Sequence, residues 1–484
     1  MPISILSVLL LLAVGTPSSE ETASRPHVVI ILADDLGQGD VGVMNPNSKI
    51  PTPNLDRLAL QGARFTDAHS PSAVCTPTRY TILTGQYCWR TKLKSGVLWG
   101  RSPLLIAPDR PTIASELQSA GYHTAFVGKW HLGLGSQERE DWTEPFDAGP
   151  HTVGFDESIG IPSSLDIPPY CWVRNGHAEP PPTSTVERSE HRRKGGGGFW
   201  RKGAASEDFD FQDVLPRSID ESIHIVRQHA HERSNEPLFI YLALSAPHTP
   251  WLPLDGDAGS TSVGHYGDFV ASVDTQVGRL LDTLDATGFS ENTLLFFTSD
   301  NGSHWPESDI RKWEHDGNNG MRGQKADIHE GGHRVPLFIR WPGVVEPGTI
   351  IDTTVCLSDL YETARGAAEM SPKSLGGEDS LDLKPLLVNA ETQTAREAIV
   401  HHSLDGMFAI RKGDWKLIEG LGSGGFTAPK RRTAVEGEAV CQLYNLADDP
   451  AETTNLAKEH PEVVAELTAL LEQYRQADRS VPAS

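Results

Sequence analysis

The stretch His27-Val-Val-Ile-Ile-Leu-Ala33, running directly into Asp34-Asp35, decides how this chain is read. It is a continuous apolar run rich in β-branched residues, the pattern of a strand covered on both faces. In doubly wound sheets ligands bind beyond the carboxyl ends of the strands, so Asp34 and Asp35 stand where chemistry is expected. Two adjacent acids are often just a solvated loop. The sharper reading is part of an all-oxygen cation site.

Other strands end in the same way. Residues 125–127 form a short strand that opens into Gly128-Lys-Trp-His-Leu-Gly133. The buried run 238–244 is followed by His248, and 293–298 ends in Ser299-Asp300-Asn301-Gly302, a carboxylate and an amide at a tight turn. Lys129 and His131 are two apart, which in extended chain turns them to one side. Helices are expected at 53–62, 112–120, 220–232 and 268–287.

Between the first two strands lies Ser70-Pro-Ser-Ala-Val-Cys-Thr-Pro-Thr-Arg-Tyr-Thr-Ile-Leu-Thr-Gly85. Pro77 has a fixed φ and no N–H to lose, which suits a first helical turn. That places Cys75 at a helix N-terminus, where free N–H groups and the helix dipole favour an anion. Arg79, four residues on, rises over the same face. The combination suits a tetrahedral oxyanion ester. The plainer reading is a buried inert cysteine beside a surface arginine.

The chain has 484 residues, 38% of them hydrophobic and 22% charged, which is the composition of a folded globular protein. A net charge of −23 argues against nucleic acid or anionic membranes as partners. Any anionic substrate therefore needs a locally basic pocket. Residues 1–19 hold a short apolar run followed by small residues, read as a cleaved secretory signal with no transmembrane segment left in the mature chain; because no Lys or Arg precedes the run, a retained N-terminal anchor is the alternative. Export to the periplasm or beyond follows. The five cysteines are an odd number for an exported chain. With Cys75 set apart, four would remain, enough for zero, one or two disulfides.

Residues 176–208 gather prolines, glycines and mixed charge, and read as a long loop. It is either a solvated insertion or a basic, aromatic lid over an anionic sugar. His329 and His333 fall in a glycine-rich loop and read as solvated. The tract 304–319 is a candidate wall of the substrate pocket. After about residue 387 short strand candidates appear at 397–402, 407–411, 415–418 and 441–444, then a closing helix at 461–479. The expected organisation is a signal at 1–19, a catalytic domain at 27–387 and a C-terminal subdomain at 388–484.

The Cys-x-Pro-x-Arg segment of Cys75, Pro77 and Arg79, the Gly-Lys-Trp-His segment of Lys129 and His131, and the Lys325 and Glu330-Gly-Gly-x-Arg334 motifs resemble the type I sulfatases, in the same order, over residues 27–480. Gly160-Ile-Pro-Ser-Ser-Leu-Asp166 resembles the family segment that supplies a sulfate-side serine. The resemblance implies an alkaline phosphatase-like α/β fold: a central mixed β-sheet sandwiched by helices, with a small C-terminal antiparallel sheet subdomain and its helix. It implies that Cys75 becomes formylglycine through a formylglycine-generating enzyme. One hydroxyl of the hydrate would attack sulfur and the other release sulfate.

Further roles follow from the same resemblance. Asp34, Asp35, Asp300, Asn301 and the modified Cys75 would hold Ca²⁺, the hard cation that oxygen ligands suit. Arg79, Lys129 and Lys325 would neutralise the sulfate. His248, with Lys325, would protonate the leaving oxygen, and His131 would take the second hydroxyl's proton. Ser164 would contact sulfate and Asp166 the sugar. The expected reaction is hydrolysis of a sulfate ester on a carbohydrate or aryl group, best matched to exo-acting removal of a galactose or N-acetylgalactosamine 6-sulfate. The rival readings are a phosphonate monoester or phosphodiester hydrolase and a non-catalytic sulfated-glycan binding protein.

Overall fold

The computed structural model describes residues 25–138, 141–190, 199–371 and 375–482. The proposed signal segment lies outside the described residues. Ten strands make one mixed sheet, in the order Thr349–Ile351, Ala63–Phe65, Leu337–Arg340, Thr293–Ser299, His27–Ala33, Leu238–Ala243, His123–Lys129, Glu157–Ile161, Val173–Arg174 and His177–Ala178. The five strands from Thr293–Ser299 to Glu157–Ile161 run parallel. Leu337–Arg340 pairs antiparallel to the first of them.

The unbroken apolar run of His27–Ala33 has its cause here. Val28, Ile30 and Leu32 enter one core, with Phe126, Phe239 and Phe296, while Val29, Ile31 and Ala33 enter the other, with Val127, Ile240 and Phe297. Alternating residues feed opposite faces, so no position on the strand is left for a polar side chain. The second face is covered by the helices Val214–Glu232 and Gly264–Ala286, each of which starts earlier than its apolar spacing indicates. Ile113–Ser119, capped by Thr112 through the Ser115 N–H, and Asp359–Ala367 cover the first.

A separate four-stranded antiparallel sheet, Ile399–His402, Phe408–Lys412, Trp415–Ile418 and Gln442–Asn445, packs under the helix Pro461–Gln476. All four strands fall within a residue or two of their expected positions.

Two expectations need correction. The described part of 176–208 is not structureless, because Ser184–Val186 pairs with Gly203–Ala205 and His177–Ala178 joins the main sheet. His329 and His333 are buried rather than solvated, because the C-terminal sheet closes over them. All five cysteines are free thiols, which is the case of no disulfide among the pairings the sequence left open. No helix among the described residues is long and apolar enough to cross a membrane.

Candidate active site

The carboxyl ends of the five parallel strands converge on one buried point. Asp34 and Asp35 follow His27–Ala33, Asp300 and Asn301 follow Thr293–Ser299, and Lys129 is the last residue of His123–Lys129. Ser164 follows Glu157–Ile161, and His248 follows Leu238–Ala243. Gly128, at φ 105° within the strand, lets the neighbouring strand approach closely; a Cβ there would lie 2.0 Å from the Ala243 carbonyl oxygen. The helix Cys75–Thr84 brings its N-terminus to the same place and stops at Gly85 in a left-handed conformation.

Each site cation is held by a site carboxylate. Lys129 Nζ donates to Asp34 Oδ2 at 2.6 Å and to Ser164 Oγ at 3.3 Å. Arg79 donates from Nε and Nη2 to Asp300 Oδ2 at 3.0 and 2.8 Å, and from Nη1 to the Lys129 carbonyl at 2.9 Å. Lys325 Nζ donates to Asp35 Oδ2 at 2.8 Å. Asn301 Nδ2 donates to Asp35 Oδ1 at 2.7 Å, and the Asp35 N–H to Asp300 Oδ1 at 3.2 Å. Arg79 and these carboxylates are essentially inaccessible to water.

Backbone strain concentrates here. Asp35, His131 and Ala326, the last beside Lys325, adopt left-handed φ of 67°, 55° and 78°. Non-glycine residues accept that cost where the surroundings over-determine it, which is commonest at functional sites. His131 is therefore not in extended chain, and the two-residue spacing from Lys129 is not what orients it. Its backbone N–H is held by the Pro162 carbonyl, and its Nε2 donates to the Leu98 carbonyl at 2.9 Å. A carbonyl only accepts, so Nε2 carries the proton and Nδ1 is left with a lone pair. That Nδ1 is buried and has no hydrogen-bond partner.

Electrostatics sharpen the picture. Burial pushes the Asp34 carboxyl up, but Lys129, His248 and Arg79 outweigh it and hold it well below the usual carboxylate range. Asp300 goes the other way: burial and the Asp34 charge outweigh Arg79 and push it up to about 7. Burial also raises the Cys75 thiol, and lowers His131 well below its ordinary value, with Lys129 and Arg79 adding to the effect. Burial and Lys325 lower His248, whose Nδ1 donates to the Thr249 carbonyl at 2.6 Å and whose Nε2 lies 3.2 Å from Ser164 Oγ.

The donor set fits a hard cation. Asp34, Cys75 and Asp300 each offer a ligand atom within 4.8 Å of the others. Asp34 Oδ1, which has the Arg79 guanidinium at 3.7 Å but accepts no hydrogen bond, and Asn301 Oδ1 are buried acceptors with no hydrogen-bond partner. Two orphaned oxygens of that kind normally cost several kcal/mol, which a bound cation would offset.

All twelve residues expected at the site lie in or beside this cluster. Asp166 stands at its edge, bound by Arg201 Nη1 at 2.5 Å; burial pushes its carboxyl up, but His248 and Arg201 bring it below the usual range. The sequence did not point to the buried network behind the Lys325 loop. There Lys416 Nζ bridges Glu330 at 3.0 Å and Glu452 at 2.8 Å, while Arg411 binds Asp67 and His69 leans on both Asp67 and His333. Glu330 and His333 belong to the loop motif, but Lys416 and Glu452 come from the C-terminal sheet and beyond it. Nothing local marks them as its partners.

The start of a helix set among three cations and a cage of carboxylate and amide oxygens is an arrangement suited to hydrolysing the ester of a tetrahedral oxyanion. The chain belongs to the sulfatase family, whose model matches residues 26–370, and is a sulfuric ester hydrolase. It is 32% identical to an N-acetylgalactosamine-6-O-sulfatase of Bacteroides thetaiotaomicron, over 94% of both chains. It is 31% identical to human arylsulfatase A, over 98% of this chain and 92% of that one. A B. thetaiotaomicron 6S-sulfatase, solved in work on the metabolism of multiple glycosaminoglycans, superimposes with a TM-score of 0.83 at 31% identity, covering 94% of this chain and all of the other.

Proposed function

We propose that the chain removes 6-O-sulfate from galactose or N-acetylgalactosamine units after export, with Cys75 matured to formylglycine and Ca²⁺ held by Asp34, Asp35, Asp300 and Asn301. The observation that carries the reading is the pair of orphaned oxygens, Asp34 Oδ1 and Asn301 Oδ1, beside Cys75 and three buried cations. The state of Cys75 supports maturation. A thiol whose ionisation is suppressed by burial is a poor nucleophile, so an unmodified cysteine would gain little from its place at the helix end. Formylglycine supplies, as its hydrate, one hydroxyl to attack and a second whose deprotonation expels sulfate. A bound divalent cation supplies Lewis acidity toward a sulfate oxygen.

The chain's own residues do the rest. Arg79, Lys129 and Lys325 are fixed by their carboxylate partners before substrate arrives, so they meet developing charge without reorganising. His131 is a neutral base with its lone pair on Nδ1, aimed by the Leu98 carbonyl. Lys325 stays an ammonium, because Asp35 outweighs the effect of burial, and can therefore protonate the leaving oxygen. His248 is neutral at rest and needs the negative charge of the substrate to raise it before it can share that role. Ser164, touching both Lys129 and His248, orients them around the scissile bond. The named 6-sulfatase relative supports the choice of sugar.

The test is sulfate release from a panel of sulfated sugars by protein matured with a formylglycine-generating enzyme, beside a Cys75→Ala control. Release from galactose or N-acetylgalactosamine 6-sulfate that the control lacks supports the reading. Release from another sulfated sugar would keep the mechanism and discard the substrate. Cleavage of phosphonate or phosphate esters alone would discard both.

A further inference from the structure

The contacts around Asp166 lead out of the site to a second place where a substrate can be held. Asp166 is two residues from Ser164 and accepts from Arg201, whose guanidinium lies 5.4 Å from the ring centroids of both Trp99 and Phe199. Arg201 is fixed along its whole length. Its N–H donates to the Tyr170 hydroxyl at 3.0 Å, its carbonyl accepts from that hydroxyl at 2.8 Å, and Nη1 also donates to the Asp166 carbonyl at 3.0 Å. The neighbouring Trp200 stacks on Phe211 at 4.4 Å, and Phe211 packs on Tyr170.

Trp99 approaches from the other side. Leu98, just before it, donates its N–H to Thr76 at the start of the Cys75 helix and accepts from His131. The indole is nevertheless 57% exposed, so it adds little to the core. Trp99, Arg201 and Phe199 therefore form an arch on the rim of the catalytic pocket. Beyond it lies a cleft of about 500 Å³ between residues 188–190 and 199–202, lined by Arg188, Trp200, Arg201 and Lys202 among others. Among the described residues the lining holds Glu190 and three cations, of which Arg201 is paired with Asp166 and Lys202 with Glu187 at 2.6 Å.

We infer that this arch and cleft bind the next acidic unit of a saccharide, a sugar bearing a carboxylate or a second sulfate, while the reacting sulfate sits at Cys75. The inference rests on the sulfated-saccharide reading above and extends it beyond the sugar that reacts. The chemistry selects that ligand. A flat, exposed indole offers a face for the C–H side of a pyranose, and the guanidinium beside it offers paired donors to an anion or to vicinal hydroxyls. A small aryl sulfate would fill the catalytic pocket and leave the arch unused. Because Arg201 already spans Asp166 and both rings, the subsite is built before ligand arrives, and little ordering cost remains.

The experiment uses Cys75→Ala protein, which holds ligand without turning it over, and calorimetry with two probes, N-acetylgalactosamine 6-sulfate and a chondroitin 6-sulfate tetrasaccharide. The tetrasaccharide should bind about tenfold tighter than the monosaccharide, the value of one charge-assisted hydrogen bond. Adding Arg201→Gln or Trp99→Ala should bring that ratio near one, with the monosaccharide weakened less than threefold. Trp99→Phe should keep most of the advantage. The parent's tetrasaccharide affinity should also fall more steeply with NaCl than that of the Arg201→Gln protein. Equal binding of the two probes by the parent, or a parallel loss for both in the variants, would overturn the inference. If the monosaccharide neither binds nor is hydrolysed by the matured enzyme, while tetrasaccharide binding still depends on Arg201, the 6-sulfate reading falls and the subsite stands.

Discussion

Adding Ca²⁺ to the matured, chelator-treated protein should raise its melting temperature, and the size of the rise should depend on pH in a direction the site dictates. At a free Ca²⁺ concentration one hundred times the dissociation constant, binding adds about 2.7 kcal/mol to folded-state stability. Unfolding entropy of about 2.1 cal/mol/K per residue gives a 484-residue chain about 1 kcal/mol per kelvin, so the expected shift is about 3 °C. Burial and Asp34 push Asp300 up to about 7 without a cation, whereas Lys129 and Arg79 hold Asp34 ionised. Below pH 7 a cation must therefore displace one proton, the proton on Asp300, and its affinity should fall about tenfold per pH unit.

At fixed Ca²⁺ the shift should be about 3 °C at pH 8 and about half that at pH 6. The sign for the cation-free protein is also set. An acid whose folded value exceeds its unfolded 3.8 lowers stability as pH climbs from about 4 to about 7, with the full penalty above that. Scanning calorimetry at the two pH values, with Asp300→Asn as comparison, reads all of this. The variant should lose both the shift and its pH dependence. A shift as large at pH 6 as at pH 8, or no response to millimolar Ca²⁺ at either, would refute the reasoning from orphaned oxygens and crowded carboxylates.

Three other perturbations probe the catalytic groups. Arg79→Lys keeps the charge but cannot reproduce the fork on Asp300 or the bond to the Lys129 carbonyl, so kcat/KM should fall about 10²–10³-fold with the fold retained, as steady-state assay and circular dichroism would show. His131→Ala should lower kcat about 10²–10⁴-fold. In the parent, burial, Lys129 and Arg79 keep His131 neutral well below pH 6.5, so an acid limb near 6.5 that vanishes in the variant would count against the assignment. Gly128→Ala sets a Cβ 2.0 Å from the Ala243 carbonyl oxygen at positive φ, and should cost at least about 2–3 kcal/mol in a denaturant melt.

The strands were legible because His27–Ala33, Leu238–Ala243 and Thr293–Ser299 are buried on both faces, and double burial leaves an unbroken apolar run that survives in the sequence. The site was legible for a related reason: Asp34, Asp300 and Lys129 stand at or just past the ends of such runs, where a polar residue is conspicuous. The partners of the Lys325 loop were not. His333 is buried against His401 and Lys416, more than sixty residues away in the chain, and only the folded C-terminal sheet brings them together. The short strands at 184–186 and 203–205 were hidden among prolines and glycines, since a three-residue edge pair carries no periodicity to read. His131 lies in the same cluster as Lys129, but its left-handed backbone shows that an extended chain is not what brings the two together.

The charge of the whole chain and the charge of the pocket pull in opposite directions, and the structure shows at what scale each acts. A protein of net charge −23 repels an anionic ester at a distance, and salt screens that repulsion beyond roughly 8–10 Å. Inside the pocket the dielectric is low and the pairing is local: Lys129 with Asp34, Arg79 with Asp300, Lys325 with Asp35. Once Asp300 is ionised, three cations face three carboxylates and leave the cage close to neutral, so these cations are not merely waiting as free charge for an anion. Attraction for sulfate must then come from what the cage lacks, the partner of Asp34 Oδ1 and Asn301 Oδ1. A divalent ion there would tip the local balance positive, while the carboxylates would keep each side-chain cation fixed in place. On this account, neutralising Asp34 or Asp300 should weaken sulfate binding rather than strengthen it, the reverse of what removing negative charge from an anion site would do if net charge alone governed affinity.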